Sequence, residues 1–366
     1  MKGVVCSHLY SIEEQRTANG STMAIKDLVN GAIGKGLNVE VVIRFFPLVS
    51  RKGVFFPRKR SCGPVTVYDV PKVGFRDFYL KFLTGFILRI MGFSGRYDFA
   101  LCHMCSNFEP SYELLNKKNV QKHYFVVHSS DLKTKNIQAC LHRADKVFAR
   151  SMPLASQVES VFGVRVDGVI YSGIDESLIV ENRPHELSNK TLRIVMACVF
   201  LPLKNIESCL DACAKIVGLG FDVSIELYGD GPLRKNIISK IDDLGLGAVV
   251  NMHGFQPRSS VMNAMRKADL FLMPSSPETF GLAFLEAMAS GCVVIGHKGW
   301  GIDGIVEDGR NGYLVGDAAP RNIAEKIIHY LSNDDRQVMH DESIRTALSY
   351  TKEKSYDNLV QLIEGN

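Results

Sequence analysis

No stretch of the 366 residues stays apolar for the ~20 positions that a membrane-spanning helix needs. The apolar run in the opening MKGVVCSHLYSIEE is too short for a secretory leader, so it reads as a first buried strand. The expected location is therefore the cytoplasm, or the inner face of the cytoplasmic membrane. No low-complexity tract and no internal repeat beyond two α/β halves is visible. Cysteines are present but unpatterned: nine, an odd number, with Cys6, Cys198 and Cys292 inside apolar runs. That usage fits reduced core thiols better than a disulfide framework. Cys102 and Cys105 form one C-x-x-C without a second pair, which reads as a strand end rather than a zinc or redox site.

What is present is ordinary for a soluble globular chain: 46% hydrophobic and 22% charged residues, with enough length for two cores. The charge is uneven. Residues 1–100 hold 15 Lys and Arg against 7 Asp and Glu, whereas the whole chain is only +4. A basic half points to an anionic partner. Nucleic acid is not expected, because no recognised binding motif accompanies the charge.

The stretch from Asp269 to Val315 organises the chain. Leu270 to Met273 reads as a strand and stops at Pro274. A polar loop carries Glu278 and Phe280-Gly281. A helical run, LAFLEAMAS, closes at Gly291, and Cys292 to Ile295 reads as the next strand. Strand, loop, helix, strand is half of a nucleotide-binding α/β unit. Glu286 sits among Phe284, Leu285, Ala287 and Met288, so its carboxylate is expected to be partly buried and in need of partners such as the vicinal hydroxyls of a ribose. Glu278 lies just before a helix start, where unpaired amides favour a phosphate. The plainer alternative makes Glu278 a helix-start acid and Glu286 a solvated residue.

The string PSSPETFGLAFLEAMASGCVVI resembles the donor-site signature of retaining GT-B glycosyltransferases, in particular glycosyltransferase family 4: Glu, seven residues, Glu, with Phe-Gly after the first and Ala-Met-Ala-x-Gly after the second. The resemblance implies two Rossmann-like, doubly wound domains facing a central cleft, with a last helix crossing back to the first. Its expected divisions are 1–178 (acceptor-binding), 179–345 (nucleotide-sugar-binding) and 346–366 (the returning helix), with residues 181–190 as linker. It implies that Glu278 holds sugar hydroxyls, Glu286 the ribose, and the amides around Phe280, Gly281 and Leu282 the diphosphate. Gly229, in Gly-Asp-Gly-Pro, and Gly254-Phe255 match positions where backbone meets the nucleotide. Asn19-Gly20 partly matches the glycine pair before the first helix. His128, at the end of an expected strand, matches a histidine beside the donor sugar; alternatively it is a capping or core histidine.

The pattern is broken at one place. Aligning Lys204 with the family's lysine puts Val199 where an arginine is expected and Cys198 where a glycine is expected. Lys204 is then the visible cation for the diphosphate. No Asp-x-Asp pair occurs where a metal-bound donor would need it, so neither metal nor cofactor is expected. Residues 51–62 and 75–93 mix Phe, Leu and Ile with Arg and Lys, a pattern suited to an anionic membrane surface or to a core helix with charged flanks. The expected reaction moves a sugar from a nucleotide sugar, UDP by family frequency, to a membrane-borne glycolipid of surface polysaccharide synthesis. The alternatives are a catalytically weak sugar-nucleotide-binding partner of an assembly complex, or an enzyme acting on a soluble acceptor.

Overall fold

The computed structural model describes residues 1–12, 20–50, 53–72, 74–75, 78–79, 81–115, 119–182 and 191–365. The chain divides into two compact units. The first holds residues 1–150, 154–172 and 353–366, and the second holds 151–153 and 173–352. The divisions at 172/173 and 352/353 fall six or seven residues from those read in the sequence. Most of the expected linker, 183–190, lies outside the described residues.

In the first unit the strands are β1 (Lys2–Cys6), β2 (Asn38–Pro47), β3 (Val49–Ser50), β4 (Gly53–Val54), β5 (Arg58–Cys62), β6 (Val65–Lys72), β7 (Gly74–Phe75), β8 (Phe78–Tyr79), β9 (Tyr97–His103), β10 (Val120–Val127), β11 (Lys146–Ala149) and β12 (Gly168–Val169). Eight of them form one sheet in the order β12-β11-β10-β9-β1-β2-β6-β5. All neighbours run parallel except β5, which pairs antiparallel with β6 at the edge. The parallel strands are near-continuous apolar runs because both faces are covered. Val4 and Cys6 enter one core with Ile43 and Phe125. Val5 points the other way, into a second core with Val42, Phe99 and Leu101.

The helices of this unit are α1 (Gly20–Gly34), α2 (Lys81–Ile90), α3 (Cys105–Leu114), α4 (Ile137–Arg143) and most of α5 (Met152–Phe162). The sequence run 75–93 is thus helical only over ten residues, preceded by the short β7–β8 hairpin.

Residues 353–366 belong to this unit although they end the chain. Leu359 and Ile363 are buried in the same core as Ile25 and Leu28 of α1. The Tyr356 hydroxyl donates to Asp27 at 3.0 Å. A side chain at Gly31 would strike the Tyr356 ring, with its Cβ 2.2 Å away, so glycine there lets the last helix lie close against α1.

The second unit contains β13 (Thr191–Ala197), β14 (Asp222–Tyr228), β15 (Val250–Gly254), β16 (Leu270–Leu272), β17 (Val293–His297) and β18 (Gly312–Val315). They form one parallel sheet in the order β15-β14-β13-β16-β17-β18. Counted along the chain this is third-second-first-fourth-fifth-sixth, the doubly wound order whose direction reverses between the first and fourth strands. Helices α6 (Ile206–Gly218), α7 (Arg234–Asp243), α8 (Arg258–Lys267), α9 (Leu282–Ala289), α10 (Pro320–Leu331) and α11 (Arg336–Ser349) complete the layers. The last helix, α12 (Lys352–Glu364), is the one that lies with the first unit. Alternate residues Leu192, Ile194 and Met196 of β13 feed one core. The buried His340 ties the helical layer to the turn after α9: its Nδ1 lies 2.6 Å from the Gly291 carbonyl and its Nε2 2.9 Å from the Tyr330 hydroxyl.

Candidate functional site

In a doubly wound sheet, ligands bind beyond the carboxyl ends of the strands at the point of reversal. In the second unit that point lies between β13 and β16, and the loops leaving them carry Lys204 and Glu278. Lys204 ends a short 3-10 turn at 202–204, and Asn205 follows in the left-handed region at φ 52°. The Asn205 side-chain amide donates to the Pro274 carbonyl at 2.8 Å, which binds the two loops together. The Lys204 ammonium then sits 2.6 Å from Glu278 Oε2, with both side chains only 16% exposed. Ser275 Oγ donates to the same oxygen at 3.0 Å, and the Thr279 amide donates to Oε1 at 3.1 Å. The carboxylate is held by three donors and is aimed by them.

Gly281 caps α9 at φ 85° and ψ 61°. A Cβ there would lie 2.6 Å from the Phe284 ring, so a residue other than glycine would be strained twice over. The turn delivers the first amides of α9, which have no intrahelical partner. Phe280 is buried beneath the turn, and Leu282 opens the helix. Gly301 closes on the loop from the other side. Its amide donates to the Glu278 carbonyl at 3.1 Å, and a Cβ there would come within 2.6 Å of Glu278 Cγ. Gly301 lies in the glycine-rich turn 299–304, and the structure adds it to the site.

Glu286 lies on α9 with its side chain 18% exposed. Its partner is Arg258, whose Nε is 2.6 Å from Oε1. Burial pushes the Glu286 carboxyl above the ordinary value, and Arg258 works against that. Arg258 was missed in the sequence. The available signal was its position directly after Pro257, at the start of α8, where the helix dipole disfavours a cation. A residue placed there against local preference is held by something else.

The turns after β14 and β15 pack against the loop after β13. Gly229 has φ 126°, and a Cβ on it would be 1.8 Å from the Cys198 carbonyl oxygen. The Gly229 amide donates to the Gly254 carbonyl at 2.8 Å, and the Phe200 amide donates to the Asp230 carbonyl at 2.9 Å. Phe255, next to Gly254, presents its ring to solvent at 81% exposure, a free aromatic face at the strand end. Val199 is 51% exposed, and burial pushes the neighbouring Cys198 thiol up to about 12. Lys204, Gly229, Gly254, Phe255, Glu278, Phe280, Gly281, Leu282 and Glu286 therefore all lie in one unit, on the strand-end loops of one sheet and on the helix α9 that follows one of them.

His128 and Gly20 belong to the first unit. Gly20 opens α1, and the residues before it, 13–19, lie outside the described residues. His128 follows β10 and is nearly buried. Its Nε2 lies 3.2 Å from Nδ1 of His103, the last residue of β9. Asp131 accepts the His128 amide at 2.9 Å and the Cys105 amide at 3.0 Å, so it fixes this strand end rather than reaching outward. Burial, then the charges of His103, Arg150 and His8, hold the His128 imidazole well below its usual value, so it is neutral at physiological pH. The His103 partner was not read from the sequence. The strand ending in HMC did place it, but nothing local marks a cross-strand pair.

All nine cysteines are free thiols, and seven are buried. Among the described residues no three His, Cys, Asp or Glu side chains lie together as a metal site, and no helix is long and apolar enough to cross a membrane.

Residues 180–347 match the family model described as Glycosyl transferases group 1. The chain is 27% identical over 230 residues to an uncharacterized glycosyltransferase of Methanocaldococcus jannaschii, covering 61% of this chain and 62% of that protein. It is 29% identical over 204 residues to N-acetyl-alpha-D-glucosaminyl L-malate synthase of Bacillus anthracis, covering 53% and 52%. It is 30% identical over 157 residues to a putative colanic acid biosynthesis glycosyltransferase of Salmonella typhimurium, covering 41% and 37%. The chain thus spans about half the length of the curated relatives it matches.

Among solved structures it resembles sucrose-phosphate synthase of Thermosynechococcus elongatus (TM-score 0.76, 17% identity, 100% of this chain and 99% of that one). It also resembles the lipopolysaccharide outer core galactosyltransferase WaaB (0.75, 17%, 100% and 99%). A third is HepE of Anabaena, solved with UDP and glucose (0.69, 18%, 100% of both). The chain has the GT-B fold: two Rossmann-like α/β units with parallel sheets, and a last helix that returns to the first.

Proposed function

We propose that the chain is a retaining, metal-independent glycosyltransferase of family 4 type, moving a sugar from a UDP-linked hexose or N-acetylhexosamine to a membrane-borne glycolipid in surface polysaccharide synthesis. The observation that carries this reading is the Lys204–Glu278 pair set beside the Gly281 turn. One ammonium, one carboxylate and a helix start occupy the edge where the sheet reverses. A departing diphosphate develops charge, and fixed donors aimed at that charge lower the barrier. Lys204 and the first amides of α9 are the donors this chain offers. Glu278 is assigned to hydroxyls of the transferred sugar, Glu286 to the ribose, and the exposed Phe255 ring with the Gly254 backbone to the base. Gly20 is assigned to the diphosphate through its backbone. The resemblance assigns His128 to the sugar; being neutral, it would serve as a hydrogen-bond partner rather than as a cation.

Support for the nucleotide comes from HepE, solved with UDP and glucose, and support for the process from the colanic acid and lipopolysaccharide enzymes. The test is transfer or hydrolysis of a panel of UDP-sugars by the purified protein. Glu278→Ala and Glu286→Ala are each expected to reduce turnover at least a hundredfold with the fold intact; wild-type rates in either would remove the assignment.

Membrane contact belongs to the same reading. On α2 the buried face is Thr84 and Leu88, while Phe82 (85% exposed), Phe86 and Ile90 (70%) form one outward apolar stripe with Arg89 beside it. Exposed Arg58 and Lys59 on β5 lie in the same unit, and the Lys59 ammonium approaches Gly92 just beyond α2. An outward apolar stripe with basic neighbours suits the interface of an anionic bilayer.

A second reading is favoured by one observation, the half-exposed Val199 where the resemblance expects an arginine. A partner protein that binds donor without turning it over would tolerate that loss. Donor binding without transfer or hydrolysis, across the sugar panel, would select it.

A further inference from the structure

The carboxyl edge of the first unit's sheet gathers positive charge that donor chemistry in the second unit does not use. His8 follows β1, Arg44 lies in β2, and Lys72 ends β6. These strands are neighbours in the sheet, with Ile43 beside Cys6 and Pro47 beside Lys72. Two of the three side chains reach the start of α3. The Lys72 ammonium donates to the Ser106 carbonyl at 3.4 Å, and Asn107 Nδ2 lies 2.9 Å from His8 Nδ1. With Nδ1 accepting from the amide, Nε2 of His8 carries the proton and is free to donate. Arg44 is fixed in place by Asp69, 3.1 Å from its Nε, and by the Phe46 ring beneath its guanidinium.

Nearby carboxylates are already committed. Asp69 is shared between Arg44 and Arg60. Asp131 accepts two backbone amides, and Glu109 accepts from Asn136. Among the described residues no carboxylate lies within ion-pair distance of Lys72. Burial, and then the charges of Lys72 and Arg44, hold His8 below its ordinary value against the Asn107 bond. Burial likewise holds Lys72 down, with only Glu109 opposing. A half-buried lysine with no carboxylate in ion-pair reach, beside an imidazole that it disfavours charging, is short of a counter-ion.

We propose that His8 and Lys72, at the start of α3, form a seat for a phosphoryl group of the acceptor, so that the acceptor is a phosphate- or diphosphate-bearing molecule rather than a neutral sugar. The proposal rests on the transferase reading for the word acceptor, but the seat itself does not. A lysine supplies a compact charge, and an imidazole N–H supplies direction. Free phosphate esters and lipid headgroups share this chemistry.

The test is equilibrium binding to the full chain without donor, in a Lys204→Gln background so that the second unit's cation does not contribute. The probes are inorganic pyrophosphate, farnesyl diphosphate in detergent, farnesol and malonate. Both diphosphates are expected to bind, farnesol and malonate at least tenfold more weakly. Lys72→Gln and His8→Gln are each expected to weaken the diphosphates about tenfold, and Lys72→Arg to restore them. Farnesyl diphosphate binding more tightly than pyrophosphate assigns a lipid source, and equal binding a soluble one. Diphosphate binding that ignores both Gln variants, in proteins with unchanged melting temperature, overturns the seat. Malonate binding as well as diphosphate overturns the phosphoryl assignment. Separately, UDP-sugar binding is measured in the wild type. Its absence with an intact diphosphate response sinks the transferase reading alone, and its presence without that response sinks this proposal alone.

Discussion

Val199→Arg gives the sharpest test of the donor site, because it adds what the sequence lacks. Val199 is half exposed on the loop after β13, so an arginine there has solvent to extend into and displaces no core side chain. The site already holds one cation, Lys204, engaged by Glu278 at 2.6 Å. A second cation meeting the diphosphate adds a charge-assisted hydrogen bond of about 1.5–3 kcal/mol in a dry site. Solvent at a half-exposed position screens this to ~1–1.5 kcal/mol. UDP affinity should therefore rise about tenfold. Turnover should rise with it, because charge on the leaving group grows in the transition state. The assay is calorimetric titration of UDP at low and high salt, with Lys204→Gln as reference. That variant leaves Glu278 its bonds from Ser275 and Thr279, so the loop stays formed while the cation is lost. It is expected to weaken UDP at least tenfold. If Val199→Arg leaves UDP affinity within twofold, and Lys204→Gln does the same, the diphosphate does not lie at this loop and the site has been misread.

Other expectations follow from single features. Glu286→Gln should change how stability depends on pH: a carboxyl whose folded value is raised stabilises fully below the unfolded value and loses that contribution as pH rises through the folded one. Wild type minus variant stability, from urea unfolding at several pH values, should therefore fall as pH climbs above the ordinary glutamate value, and a flat or rising difference would contradict the burial. Gly229→Ala should cost at least ~2 kcal/mol and abolish UDP binding, since its Cβ meets the Cys198 carbonyl; Gly245→Ala, with φ 66° and nothing within 4 Å, should cost only ~1–2 kcal/mol and spare binding. Phe82→Asp with Phe86→Asp should abolish flotation with anionic vesicles without lowering the melting temperature, because neither ring is buried; undiminished flotation would move membrane contact elsewhere.

The sequence made the second unit readable and the first much less so. Strands ending in Pro274, Gly229 and Gly254, and the helix between Gly281 and Gly291, are marked by residues whose backbone needs are local. Glu278 and Glu286 stand eight positions apart, one on the loop and one on the helix that those breakers place. Their partners were not legible in the same way. Arg258 comes from another helix and Gly301 from another turn, and each meets its glutamate only through the fold. In the first unit His128 was visible at its strand end, but its bond to His103 depends on β9 and β10 being neighbours, and local sequence does not carry strand order. The run 75–93 misled in its length. Its hydrophobic residues serve a short hairpin and then a ten-residue helix that turns its rings outward.

The return of the last helix has a consequence for how the chain is made. The second unit enters at residue 173 and leaves at 352, and these two ends are stitched side by side: the Ile174 amide donates to the Tyr350 carbonyl at 2.9 Å, and the Lys352 amide to the Ile174 carbonyl at 2.8 Å. It is complete when residue 352 clears the ribosome. The first unit, although begun earlier, waits for Leu359 and Ile363 to fill the gap against α1. Synthesis that stops a few codons short would thus leave the nucleotide-binding half sound and the older half with an open wound in its interior.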